Sequence, residues 1–166
     1  MKQFKMLLAI LLFAISFTSF AQSKVAHVKT QEIIALMPAA KAATAEIEGM
    51  SESYRKEIEA MEKDVVEKQN RYAAEQDTVS DEMNQMRGAE LQDQISRIQA
   101  YSSEAQRELQ RKQMELLQPI SKALEEAVNA VADRLGIEYV FELPMQGMVV
   151  AKGMDVTEEV KKELGL

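Results

Sequence analysis

The chain has no cysteine, no tryptophan and a single histidine, His27. Without thiols it can form no disulfide, no thiolate metal site and no lipid-modified N-terminal cysteine. One histidine leaves a zinc site short of ligands, and within a predicted strand His27 is expected to face solvent or an interface. There is no glycine-rich loop to cradle phosphates, so nucleotide hydrolysis has no support. The serines have no base near them in the pattern, and the carboxylates alternate with Lys and Arg as on a solvated helix face. An enzyme is therefore not expected, nor is any cofactor or metal. Basic charge is also scarce: 20 Lys and Arg stand against 27 Asp and Glu. That balance opposes nucleic acid, whose phosphates attract basic surfaces. Only three prolines and six glycines interrupt 166 residues, which leaves room for long helices.

What is present begins with a leader. Lys2 and Lys5 precede an apolar run, Met6 to Phe17, broken only by Ser16. Ser19-Phe20-Ala21 then sets small residues three and one positions before a cut. Residues 1–21 read as a secretory signal peptide with Gln22 as the mature N-terminus; the run is too short to span a bilayer comfortably. Loss of both leader lysines leaves 18 basic and 27 acidic residues, a net charge of −9.

Three zones follow. In residues 22–37, Val25, Ala26 and Val28 suggest a short strand, and Thr30 suits the cap of a short helix. Residues 38–118 open on Pro38, which fits the first turn of a helix. Apolar residues then recur at helical spacing through Ala43, Ile47, Met50, Tyr54, Ile58, Met61 and Val65. A second series runs through Met83, Leu91, Ile95, Ile98, Ala105, Leu109 and Leu116. The pattern lapses at 77–81, where Thr78 or Ser80 is a good N-cap.

In an antiparallel pair, the numbers of facing residues add to a constant. Met50 with Leu109, Tyr54 with Ala105, Ile58 with Tyr101 and Met61 with Ile98 all add to 159. The mirror point falls between Val79 and Ser80, where the turn signals independently lie. The spacing predicts a helical hairpin with arms of about 60 Å.

In residues 119–166, Pro119 is expected to kink or restart the returning helix. Ile120, Leu124, Val128, Val131 and Leu135 form a dense apolar stripe, and Gly136 suits a helix stop. Ile137 to Leu143 and Met148 to Ala151 read as strands around a turn at residues 144–147. Thr157 suits the cap of a last helix. The fold class is α+β and mostly α: a long antiparallel hairpin projecting from a small β-containing body.

A protruding hairpin exposes whatever apolar residues lie off its seam. Met50, Tyr54, Met61, Met83, Met86 and Met114 are the candidate binding residues of the arm, because methionine adapts to varied partners. Short strands have open edges, which proteins usually cover. Oligomerisation through Val25, Val28, Ile137, Tyr139, Phe141 and Val149 would cover them.

Two stretches carry a family resemblance. Lys24 through Ile34, followed by Met37-Pro38, is similar to an opening strand and "QEI" helix. Tyr139 to Glu142, Val149-Val150 and Asp155 to Val160 are similar to a closing hairpin and "D-(I/V)-T-x-x-V" helix. Their order around a long polar hairpin resembles the Skp/OmpH family of periplasmic chaperones over nearly all of the mature sequence. The resemblance implies a homotrimer with three helical tentacles around a cavity. It also implies that unfolded outer-membrane proteins are held there without ATP, in the periplasm. The arm departs from basic family members: residues 38–118 hold 11 basic and 17 acidic residues. No lipid or lipopolysaccharide site is carried over. The alternative is a scaffolding coiled coil of the cell envelope, which would call for a sustained heptad seam.

Overall fold

The computed structural model describes residues 24–166; the expected leader lies outside them. Strand β1 (Val25–Val28) leads into helix α1 (Thr30–Leu36) and then α2 (Pro38–Ala74). A 3-10 turn (Gln76–Thr78) reverses the chain into α3 (Asp81–Leu135). Strands β2 (Tyr139–Glu142) and β3 (Met154–Asp155) and helix α4 (Thr157–Glu163) complete the order. Among the described residues no helix is long and apolar enough to cross a membrane.

Local chemistry explains the ends of the long helices. Pro38 occupies the first turn of α2, where its missing N–H has no partner to lose. Ser80 caps α3, its side chain accepting from the Met83 N–H at 3.3 Å, with Asp81 and Glu82 in the positive first turn. Gly136 ends α3 in the left-handed region, φ 63°, a conformation that strains other L residues.

Pro119 neither ends nor restarts α3, which runs from Asp81 to Leu135 around it. The proline is solvent-exposed, so water can serve the Glu115 carbonyl that loses its donor.

The two ends of the described residues build one core. Ile33 from α1, Ile120 and Val131 from α3, Val156 at the start of α4 and Val160 within it are buried together with Val28. The sheet has the order β2-β1-β3, and both pairings are parallel. Val25 sits opposite Tyr139, and His27 lies opposite both Phe141 and Asp155. The expected closing hairpin is thus corrected: β2 and β3 flank β1 instead of pairing with each other. Residues 148–151 form no strand, and Val149 is 94% exposed. A β-forming sequence needs a partner for its backbone, and Met154–Asp155 takes the place beside β1.

Two caps also differ. Thr30 donates its hydroxyl to Glu142 rather than capping α1. Thr157 is the first residue of α4, and its hydroxyl oxygen accepts the Lys29 N–H at 3.1 Å.

Candidate functional site: the helical arm and the open faces of the body

Helix α2 and the first two thirds of α3 run antiparallel. Tyr54 and Tyr101 meet edge to face across them, ring centres 6.0 Å apart. One groove gathers Tyr54, Ile58, Ala105 and Leu109, and another gathers Met61 and Ile98. A third, at the arm root, joins Ala43 and Ile47 to Leu116. The mirror sum of 159 sets Tyr54 opposite Ala105, Met61 opposite Ile98 and Ala43 opposite Leu116, and each of these pairs lines one groove.

The seam is thin. Outside the core at the arm root, Val65 and Ala105 alone among the described arm residues are buried. Met50, Tyr54 and Met61 are half-buried, and Tyr54 and Met61 line the seam grooves, so these two hold the arm together before they can hold anything else. Met83, Met86 and Met114 are exposed, the last two by about two thirds. Val66, Ile95 and Leu117 are exposed too. None of the three stands out in the sequence, because Ile95 falls on the seam register and branched aliphatics carry no flexibility signal.

Polar groups tie the helices where apolar ones do not. The Tyr101 hydroxyl donates to Glu57, which pushes it up to about 12. Lys68 reaches Glu90 at 3.2 Å and Tyr72 donates to the same carboxylate at 2.7 Å. These two partners hold Glu90 below the usual carboxylate range. Near the turn Arg71 and Arg87 both lie over the Tyr72 ring, at 5.4 and 4.6 Å from its centre, a cation–π arrangement.

In the body, Val25, Tyr139, Phe141 and Val149 are exposed. Val28 and Ile137 are buried within the chain's own core and have little surface to offer a neighbour. Their apolar character reflects that core. His27 is corrected as well: it is 9% exposed, with Nε2 3.6 Å from the Asp155 carboxylate. Among the described residues no cluster of three or more His, Asp or Glu could hold a metal.

A crystal structure of an OmpH-like candidate outer membrane chaperone from Caulobacter crescentus CB15 shares the fold. Its TM-score is 0.74 over 87% of this chain and 85% of that one, at 16% identity. No functionally curated protein is similar in sequence at a significant level. The model of the family "Outer membrane protein (OmpH-like)" matches residues 24–164, and the chain belongs to that family.

Proposed function

We propose that this protein is an ATP-independent holdase of the periplasm. It binds unfolded outer-membrane β-barrel proteins between helical arms and keeps them from aggregating before membrane insertion. The observation that carries this reading is the arm itself: a long hairpin with a thin seam and exposed methionines. Barrel strands present an outward apolar face that water does not tolerate until the barrel closes in lipid. Met83, Met86 and Met114 are flexible, polarizable contacts for such segments. Binding the unfolded form alone lowers its free concentration by mass action and needs no nucleotide. A scaffold would need a rigid seam, and two buried residues beyond the arm root do not make one.

The cavity requires several copies. The exposed Val25, Tyr139, Phe141 and Val149, together with the free edge of β2, form the surface through which protomers join. Three copies follow from the family resemblance. Membership in a family that is not an enzyme family supports a binding role. The leader and the family together support a periplasmic location. The acidic arm disfavours electrostatic capture of lipopolysaccharide.

The test is a solubility assay. Protein produced from Gln22 onward is mixed in modest molar excess with a porin diluted out of urea. Light scattering should stay low without ATP; unchanged aggregation contradicts the reading.

A further inference from the structure

The ties across the arm recur at a fixed interval. Lys112 Nζ on α3 lies 2.9 Å from Glu46 on α2. Tyr101 donates to Glu57, and Glu90 accepts from Lys68 and Tyr72. On α2 the tying residues are Glu46, Glu57 and Lys68; on α3 they are Lys112, Tyr101 and Glu90. Each step is 11 residues on both helices, which is three turns and about 16 Å of axis. Arg87 and Glu75 form a last rung beside the turn. Every rung contains a carboxylate.

We propose that this ladder is an acid- and salt-sensitive clamp: neutralising or screening its carboxylates lets α2 and α3 part from the tip while the body stays folded. Exposed ion pairs are individually weak and screened by salt. Here they act on a seam that is itself weak, so their sum decides whether the arm stays closed. The body is held by buried apolar side chains such as Ile33, Val131 and Val160, which do not titrate.

The groups around each rung set the direction. Glu46 faces Lys112, which also contacts Glu115 on its own helix. Glu57 faces Tyr101 and accepts from Ser53. Glu90 faces Lys68, Tyr72 and Arg71, and Lys68 also contacts Asp64. Glu75 faces Arg87. Glu90 is lowered in the folded arm, so its stabilisation is present at neutral pH and lost as acid protonates it. Within each helix the backbone hydrogen bonds neither titrate nor screen. Opening thus requires no unwinding. It follows from the arm alone and does not depend on what the arm holds.

The absence of cysteine makes the test direct. Spin labels are placed at Ala60→Cys and Gln99→Cys, exposed positions outside the rungs on opposite helices. Pulsed electron resonance then reads the distance at neutral pH, at about pH 3, roughly a unit under the ordinary glutamate value, and in about 1 M salt. Acid and salt should each lengthen and broaden the distribution, while circular dichroism keeps most of its helical signal. A variant with Glu57, Tyr101, Lys68 and Glu90 all changed to leucine should show little response. The proposal is overturned by an unchanged distance in the parent protein under both conditions. It is equally overturned by loss of most helicity at that pH, or by a leucine variant that responds as the parent does.

Discussion

Asp155 Oδ2 lies 3.6 Å from His27 Nε2 across the β1–β3 pairing. The same carboxylate is 3.3 Å from Lys29 Nζ, and its other oxygen accepts the Thr157 N–H at 3.0 Å. One side chain thereby joins the short edge strand, the central strand and the start of α4.

The first prediction concerns that junction. Thr157, through its hydroxyl and its backbone N–H, and Lys29 hold the Asp155 carboxyl at about 2, against an ordinary 3.8. A group lowered on folding stabilises the native state above its unfolded value and loses that contribution as pH falls. The contribution should be complete above about pH 4 and fade toward pH 2. Asp155→Ala should cost about 1 kcal/mol at neutral pH, discounted because the side chain is partly exposed. Urea melts across this range should show the variant to be less acid-sensitive than the parent.

Whether an element was legible from sequence depended on how local its cause is. Pro38, Ser80 and Gly136 act through their own backbone chemistry and mark their helix ends in sequence and structure alike. The hairpin was readable because two apolar series mirror each other around Ser80. Met148 to Ala151 has strand-forming residues but no strand, because strand formation needs a partner that sequence does not name. Thr30 and Thr157 have the chemistry of caps, but Glu142 and the Lys29 N–H, far away in sequence, take their hydroxyls. The polar ladder stayed hidden for a related reason: Glu57 and Tyr101 become a pair only after the chain doubles back.

Core and arm should respond differently to truncation. Ile33→Ala removes a fully buried side chain and should cost about 2–5 kcal/mol, read as a lower urea midpoint. Met86→Ala, at an exposed arm position, should cost less than about 0.5 kcal/mol. Porin protection should reverse the order: Met86→Gln combined with Met114→Gln weakens it at unchanged stability.

The tip depends on one cap. Ser80→Ala deletes the acceptor for the Met83 N–H and should cost about 1 kcal/mol. Hydrogen exchange should speed up over residues 76–86 and stay unchanged over β1.

Assembly should fail separately from folding. Tyr139→Ser with Val149→Ser alters two exposed residues. Native mass spectrometry should show a shift from trimer to monomer, with circular dichroism retained. A variant that stays trimeric would exclude these side chains from the interface.

The most direct test of the holding arm is where a client touches it. A photo-crosslinking residue replaces Met86, Met114 or Lys122, the last exposed on the part of α3 that runs into the body. Each variant is irradiated with a porin freshly diluted from urea. The account predicts strong crosslinks from Met86 and Met114 and weak ones from Lys122. Crosslinks confined to Lys122, or none from either methionine position, would contradict it.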